Sequence, residues 1–364
     1  MVLNTGGFNT KGVSISGQHP PEELTDDGET IHVAGMRWFP KEDILALNIN
    51  NLNFSKKIRG KKPTSSANVI PSLTRRHCAS KVAEVFDLTG RVAPITASMK
   101  IDLQDFVRLK LDWDDTIPDG LRPLWETNFN MIQNLRELRF SRTIVPVDAV
   151  DVNVSTLDFA DASKSMICSS VYARFKKKDG TFSCQLILAR TKVVPQGMSL
   201  PRAELTATLT NAYTGEVVRR SFKNYHSGSL KFTDNQAYLY WITNDKTPLK
   251  EWVRNRVIEI LRFTSIDQWY YVESSNMIAD LATRKGATLH DVDMNSTWKN
   301  SFAWMKLDRS KFPILSPDEI KLSDADIKHV NIESQVHVVK CQKVPEEVRE
   351  RYKFSNYVID TNQH

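Results

Sequence analysis

Four carboxylate side chains in the second half of the chain stand where predicted strands or helices begin or end. Asp161 and Asp234 each close a β-rich run, and Glu204 and Asp280 each fall in the first turn of a predicted helix. In an open mixed sheet, the carboxyl ends of strands and the helix starts beside them converge on one edge. We therefore predict that the four acids meet there. The alternative for Glu204 and Asp280 is a favourable interaction with a helix dipole alone.

Carboxylates gathered in this way indicate metal chemistry. Unpaired acids repel one another unless protons or cations neutralise them. Hard divalent ions such as Mg²⁺ prefer carboxylate oxygen and are commonly shared with substrate phosphates. Two such ions about 4 Å apart activate water on one side of a phosphodiester and stabilise the leaving oxygen on the other. The ligand set therefore predicts phosphodiester hydrolysis with two Mg²⁺ ions, or Mn²⁺ in their place, and needs no histidine or cysteine nucleophile.

The elements between residues 150 and 290 predict an α/β unit. Three short β-rich runs read as antiparallel strands, with "KKKDGT" as the turn between the second and third. A helix starting at Pro201, the strand "SLKFTD", a helix capped by Thr247 and the strand "QWYYV" follow. A short helix over Asn276–Arg284 completes the order βββαβαβα. We expect a mixed five-stranded sheet with helices on both faces.

The rest of the chain is predicted to form three further regions. Residues 1–30 are an irregular lead-in rich in Gly, Thr, Ser and Pro. Residues 31–145 begin with a β-hairpin over Ile31–Ile49 and continue as a small helical domain. Its helices are predicted from Ser72, from near Pro94, and from Leu121 to about Leu138. Residues 291–364 are predicted to be a partly ordered extension or linker.

The charge is unevenly distributed along the 364 residues, whose formal net charge is +6. Residues 55–110 contain twelve Lys or Arg and four Asp or Glu, a local charge of +8. Such a segment favours phosphate contacts with a nucleic acid, although a solvated surface would explain the charge alone equally well. The four cysteines lie far apart, without the spacing of a zinc site or a disulfide framework. No apolar run reaches the length of a membrane span, so we expect a soluble intracellular protein.

Motifs spread over about residues 5–305 resemble one family. The segments "HVAGMRWFPKEDIL", "SKVAEVFDLTGRVAPITASMKIDLQD" and "LDWDD", followed by "LDFADAS", "SLPRAEL", "KFTDNQAYLYW" and "NMIADLATRKG", are similar to Pao/BEL-type retrotransposon polyproteins. They resemble the stretch from the end of the reverse transcriptase into its ribonuclease H domain. The resemblance implies a ribonuclease H-like fold preceded by a primer-grip hairpin and a helical thumb or connection.

The resemblance also implies an activity, hydrolysis of the RNA strand of an RNA–DNA hybrid. Asp161 and Glu204 would hold both metal ions, Asp234 one of them, and Asp280 the other. Glu204 would also lie near the ribose 2′-hydroxyl that distinguishes RNA from DNA. Ser163 and Asn235 would contact the nucleic-acid backbone, although a turn bond and a helix cap explain them equally well.

In the thumb-like region, the resemblance implies phosphate contacts with little sequence preference. The candidates are Lys56, Lys57, Arg59, Lys61, Lys62, Arg75 and Arg76. The implied partners are the hybrid duplex, a reverse transcriptase palm and fingers upstream, and an integrase downstream in the same polyprotein, with no membrane. The expected location is a cytoplasmic retrotransposon particle, with the nucleus as the alternative.

Two other functions stay open at this stage. The chain departs from the family pattern, with "FDLTG" in place of Phe-Asp-Pro-Leu-Gly and Tyr271 where relatives often carry histidine. A catalytically inactive, nucleic-acid-binding remnant is therefore the main alternative. The family is also catalogued as a retrotransposon peptidase. An aspartic peptidase needs an Asp-Thr-Gly or Asp-Ser-Gly loop, however, and this sequence contains neither tripeptide.

Overall fold

The structure is a computed structural model that describes residues 12–52, 54, 72–243, 248–323, 326, 327 and 330. It contains two sheets. The strands are β1 (Ile31–Val33), β2 (Met36–Phe39), β3 (Ile44–Leu47), β4 (Phe140–Ser141), β5 (Val154–Ala162), β6 (Met166–Lys176), β7 (Phe182–Val193), β8 (His226–Thr233), β9 (Trp269–Val272) and β10 (Ile314–Leu315). The α-helices are α1 (Arg75–Ala83), α2 (Ala93–Arg108), α3 (Arg122–Asn134), α4 (Leu200–Phe222), α5 (Gln236–Thr243), α6 (Glu251–Leu261) and α7 (Thr297–Asn300).

The larger sheet has the strand order β10-β9-β8-β5-β6-β7. Strands β5, β6 and β7 form an antiparallel meander, and β8 and β9 then add in parallel on the other side of β5. Without the short strand β10, this is the predicted five-stranded mixed sheet. The arrangement confirms the α/β fold class, and the additional strand β10 pairs antiparallel with β9.

Alternating side chains on β5 separate the two faces of this sheet. Ala160 and Ala162 pack with Ala203 and Ala207 of α4, while Phe159 belongs to the core on the opposite face. Helices α5 and α6 pack on the α4 side through a second apolar cluster. Helices therefore cover both faces, as the sequence predicts.

The residues before the large sheet form a small sheet and a helical unit. The predicted hairpin over Ile31–Ile49 is instead three antiparallel strands, β1 to β3, which are joined by β4 after the helices. Helix α1 is capped by Thr74, whose hydroxyl accepts a hydrogen bond from the His77 backbone N–H. Helix α2 has Pro94 in its first turn, where the missing N–H costs nothing.

One apolar core joins the helical unit to the large sheet. Met99 and Phe106 of α2 belong to the same buried cluster as Phe159 and Tyr172 of the sheet. Gly90, just before α2, adopts a φ of +75°, and a Cβ there would lie 2.5 Å from the carbonyl oxygen of Ala189. Only glycine permits this approach of backbone to strand β7.

Several elements differ locally from the sequence prediction. Helix α5 was not predicted, because its run is apolar on nearly every side and shows no clear period. Helix α6 begins at Glu251, and its predicted cap Thr247 lies outside the described residues. The predicted helix over Asn276–Arg284 is a five-residue 3₁₀ helix, Ile278–Ala282. Past residue 291, the chain packs against the sheet up to β10, with the Tyr172 hydroxyl donating to the Trp298 carbonyl at 2.7 Å.

Candidate active site

Asp161 lies one residue before the end of β5, and its side chain is buried on the face opposite α4. The Thr283 hydroxyl donates a hydrogen bond to its Oδ2 at 2.6 Å. Burial, with added repulsion from Asp234 and Asp280, raises the pKa of Asp161 to about 7. The hydrogen bond from Thr283 opposes this shift. Asp161 is therefore a carboxyl group that a nearby cation would strongly favour in its ionised form.

Asp234 directly follows the last residue of β8. The parallel register pairs Phe159 with Phe232, so two residues further along Asp161 and Asp234 lie level at the same edge of the sheet. The Ser274 hydroxyl donates to Oδ2 of Asp234 at 2.7 Å. Burial is the main cause of the raised pKa of Asp234, and Asp280 adds repulsion.

Glu204 is the fifth residue of α4, just past the predicted first turn, because the helix already begins at Leu200. The Asn235 amide donates to its Oε2 at 2.8 Å, and the Tyr238 hydroxyl is a second hydrogen-bond partner. Burial raises the pKa of Glu204 to about 8 against the effect of the Tyr238 hydrogen bond. Repulsion from Asp234 and Asp161 contributes to the increase.

Asp280 occupies the 3₁₀ helix after β9, and this helix contacts both β5 and β6. Its Oδ1 lies 2.5 Å from Nε of Arg284, four residues later. Repulsion from Asp280 raises the pKa values of both Asp161 and Asp234. The four predicted acids thus interact electrostatically at one edge of the sheet, although the elements that carry them pack on different faces.

The donor chemistry suits a hard divalent cation, but the side chains face protein donors. Among the residues that the structure describes, no three His, Cys, Asp or Glu side chains form a group that could hold a metal ion. One oxygen of each acid is instead engaged by a hydroxyl, an amide or a guanidinium group. A metal ion would therefore bind the other oxygen of each carboxylate or compete with these partners.

The predicted backbone contacts Ser163 and Asn235 have structural partners. The Ser163 hydroxyl accepts hydrogen bonds from the backbone N–H groups of Ser165 and Met166, within the β5–β6 turn. The side-chain Oδ1 of Asn235 accepts a hydrogen bond from the Ala237 N–H at the start of α5. Both residues nevertheless adjoin the acids, and Asn235 touches Glu204 directly.

The predicted basic residues fall into two groups. Lys56, Lys57, Arg59, Lys61 and Lys62 lie outside the described residues. Arg75 donates to the Leu111 carbonyl at 2.6 Å and stacks over Trp113. Arg76 makes a two-pronged ion pair with Asp114 at 2.7 and 2.9 Å, and its side chain is more than half exposed. Both arginines therefore bind the loop that follows α2.

Four residues at the site were not predicted: Thr283, Ser274, Tyr238 and Arg284. Arg284 could have been found, because a basic residue four positions after Asp280 is a common ion-pair spacing. Thr283 and Ser274 lie 122 and 40 residues from the acids they contact, a distance that no local pattern spans.

The strand order β7-β6-β5-β8-β9, with acids at the carboxyl ends of β5 and β8, defines a ribonuclease H-like domain. Comparison with known families identifies its type. The model of the Pao retrotransposon-like RNaseH-like domain matches residues 74–235. This match confirms, over residues 74–235, the resemblance indicated by the motifs. The match begins at the cap of α1 and ends just after Asp234.

Comparisons with individual proteins are more distant. No curated protein matches the chain. Ribonuclease H1 from the halophilic archaeon Halobacterium salinarum is 12% identical, with 35% of this chain and 90% of that chain covered and a TM-score of 0.25. The N-terminal ribonuclease H domain of rv2228c from Mycobacterium tuberculosis, solved as a fusion with maltose-binding protein, is 8% identical. Its match covers 36% of this chain and 94% of that chain, with a TM-score of 0.26.

The remaining observations concern membranes and thiols. Within the described ranges, no helix is both long enough and apolar enough to span a membrane. Cys78, Cys168 and Cys184 are free and buried. Burial raises the pKa of Cys78 to about 12, which leaves its thiol protonated and unreactive at neutral pH.

Proposed function

We propose that this protein is a metal-dependent nuclease that hydrolyses the RNA strand of RNA–DNA hybrids. The proposed catalytic residues are Asp161, Glu204, Asp234 and Asp280. The observation that carries the proposal is the gathering of acids at one edge of a ribonuclease H-like sheet, where Asp161 and Asp234 lie level on neighbouring strands and Asn235, next to Asp234, donates to Glu204. A fold gains nothing in stability from gathering buried like charges, so the arrangement is best understood as a site for a cationic ligand.

The acids have distinct places in the proposed site. Asp161 lies on the face opposite α4 and Glu204 lies on α4, and the Asp161 carboxylate is near enough to raise the pKa of Glu204, which supports a cation shared by both. Asp234 and Asp280 each raise the pKa of Asp161 by repulsion. Because Asp161 and Glu204 have raised pKa values, they would release protons when a divalent ion binds.

Divalent ions such as Mg²⁺, when bound by these carboxylates, would activate water and stabilise the leaving oxygen of the phosphodiester. The resulting hydrolysis adds water at phosphorus and breaks the bond to O3′, leaving a 3′-hydroxyl and a 5′-phosphate. Glu204, at the start of α4, would be the acid nearest the ribose 2′-hydroxyl, the group that separates RNA from DNA. Asn235 would keep the Glu204 carboxylate oriented through their hydrogen bond.

Cleavage of a defined hybrid tests this proposal. The full chain is incubated with Mg²⁺ and a duplex whose RNA strand carries a 5′ label, alongside the same duplex made only of DNA. Asp161→Asn should reduce the rate on the hybrid by at least about 100-fold, because it removes a carboxylate that would hold the divalent cation, and the cation is what stabilises the developing negative charge. Asp267→Asn is the matched control, since Asp267 is an exposed acid at the start of β9, away from the site.

Two outcomes would contradict the nuclease. No cleavage by the parent chain at any Mg²⁺ or Mn²⁺ concentration would exclude the activity. Equal cleavage by the parent and Asp161→Asn would assign the activity to a contaminant.

One observation favours a second candidate, a domain that binds hybrids without cutting them. Each proposed ligand is engaged by a protein donor, and the pair between Asp280 and Arg284 supplies a cation from the protein itself. In that case the parent chain would bind a labelled hybrid, measured by fluorescence anisotropy, and binding would be unchanged by EDTA. Arg284→Ala separates the two candidates, because it should increase Mg²⁺-dependent cleavage by a nuclease and leave an inactive domain inactive.

A further inference from the structure

Helix α2 contacts the segment that carries Asp280. We call residues 278–286 the Asp280 segment. Nζ of Lys285, near its end, lies 2.8 Å from Oδ2 of Asp105 and 3.2 Å from Oδ1 of Asp102. The next backbone N–H, that of Gly286, donates to the Ser98 hydroxyl at 2.9 Å. Three residues on one side of α2 thus hold the end of this segment.

The same helix also contacts the turn that follows Asp161. The Gln104 amide of α2 donates to the Ser165 carbonyl in the β5–β6 turn at 3.0 Å. Ala97 and Ile101 pack against Met166, the first residue of β6, in a small buried cluster of their own. Helix α2 therefore contacts the residues that follow Asp161 and Asp280 in the chain.

The Asp280 segment depends on such contacts for its position. Its 3₁₀ helix is only five residues long, and short 3₁₀ helices have weak internal hydrogen bonds. Ile278, Ala279 and Ala282 are buried against the core and fix one side. The other side presents Asp280 and leads into Thr283, whose hydroxyl contacts Asp161. A shift of this segment would displace both groups at once.

We propose that α2 belongs to the catalytic unit and that Lys285 is a positioning residue, which holds the Asp280 segment against α2. The inference rests on the proposed function for its catalytic consequence, but the mechanical claim stands on the contacts alone. It assigns a role in the nuclease to a helix whose sequence resembles a thumb or connection region. The family match over residues 74–235 includes this helix together with Asp161, Glu204 and Asp234, and it ends before the Asp280 segment.

The charges around Lys285 support a specific role. Burial would lower the pKa of Lys285, but hydrogen bonds to Asp105 and Asp102 raise it, so the side chain stays charged. Asp102 is buried, and its other oxygen accepts a hydrogen bond from the Asn128 amide of α3 at 3.1 Å. Removing Lys285 would leave the Asp102 carboxylate buried without a cation, which strongly disfavours the present packing.

Hydrogen–deuterium exchange of the full chain without metal or substrate tests the mechanical claim. Lys285→Ala should speed exchange at residues 278–286 at least about tenfold, while exchange in the rest of the large sheet stays at the parent level. Lys285→Arg, which keeps the charge, should stay near the parent. Lys178→Ala, at an exposed lysine in the β6–β7 turn, is the matched control.

Calorimetric titration with Mn²⁺ alone tests the consequence for the site. Supporting residues around metal ligands commonly change metal affinity by about 10- to 100-fold, so Lys285→Ala should weaken binding by about 10-fold. The charge-reversed Lys285→Glu should weaken it further. Adding Asp105→Lys to Lys285→Glu should recover part of the loss, which a merely destabilised fold would not do.

The outcomes separate this inference from the proposed function. Unchanged exchange at residues 278–286 in Lys285→Ala and Lys285→Glu would overturn the positioning role, whatever the activity. If Lys285→Ala speeds exchange at residues 278–286 but the parent chain neither binds Mn²⁺ nor cuts a hybrid, the positioning role is upheld and the nuclease is overturned. If Lys285→Ala unfolds globally, the same comparison is made with Asp105→Asn.

Discussion

The raised pKa of Asp161 predicts that the metal-free protein loses stability as the pH rises. An aspartate carboxyl has an ordinary pKa of 3.8, and in the folded protein that of Asp161 is about 7. Between these values the folded state keeps a proton that the unfolded state has released. Stability is therefore full below about pH 4 and falls as the pH rises through about 7. At higher pH both states are ionised and the loss is complete.

The magnitude follows from the size of the shift. A difference of about three pKa units corresponds to about 4 kcal/mol of unfolding free energy, with each unit equal to about 1.4 kcal/mol. Asp161 is nine-tenths buried, so solvent screening reduces this value little. The acids repel one another, so part of the same cost also appears in the raised pKa of Glu204, and the two contributions do not add.

Asp161→Asn isolates this effect, because an amide has nearly the same shape and can still accept the hydrogen bond from Thr283. In EDTA, we expect the variant to be more stable than the parent by about 2–4 kcal/mol at pH 8.5, and the difference to shrink towards zero near pH 4. Urea denaturation followed by tryptophan fluorescence at several pH values measures it. Saturating Mg²⁺ should reduce the difference at pH 8.5 by stabilising the parent alone.

An exposed aspartate serves as the control for this pH dependence. Asp267→Asn, an exposed site, should show a difference from the parent that does not change with pH. A parent chain that is as stable as Asp161→Asn at pH 8.5 without metal would show that the buried carboxylate carries no electrostatic cost. The argument for a cation site would then fail.

Three further predictions concern the core and the basic surface. Lys231→Met should destabilise the fold by about 3–5 kcal/mol, because it leaves the fully buried Asp158 carboxylate unpaired, and adding Asp158→Asn should recover much of the loss in a thermal unfolding assay. Gly215→Ala would place a Cβ 2.5 Å from Oδ2 of Asp158 and should cost about 1–3 kcal/mol, whereas Gly120→Ala, with open space around it, should be nearly neutral. Arg76→Ala should leave the midpoint of thermal unfolding nearly unchanged, since its ion pair is exposed. If Arg76 contacts a phosphate, the slope of the log binding constant against log salt concentration should be less steep by about one unit in Arg76→Ala than in the parent. An unchanged slope would show that Arg76 does not contact the nucleic acid.

The sequence predicted the architecture well where local patterns decide it. Short β-rich runs identified strands β5 to β9, and Pro201 and Pro94 lay in the first turns of the helices predicted from them. The four acids could be selected because strand ends and helix starts in such a sheet share an edge. The choice of these four acids thus needed only the predicted ends of strands and helices and one general rule of sheet topology.

What the sequence could not supply were contacts between distant parts of the chain. The hydroxyl partner of Asp161 comes from Thr283, and the brace on the Asp280 segment comes from Asp102 and Asp105, about 180 residues earlier. Strand β10 has only two residues, too few to show a period. The sequence analysis also treated the helical unit and the large sheet as separate regions. Their packing together depends on a core that both share, which no single segment reveals.

A crystal structure of the protein soaked in Mn²⁺, with anomalous diffraction to locate the metal, tests whether the four acids form a metal site. We predict two anomalous peaks about 4 Å apart, bounded by Asp161, Glu204, Asp234 and Asp280, with the Asp161 carboxylate turned away from Thr283. Saturating Mn²⁺ that leaves this edge of the sheet empty, or binds only elsewhere, would contradict it.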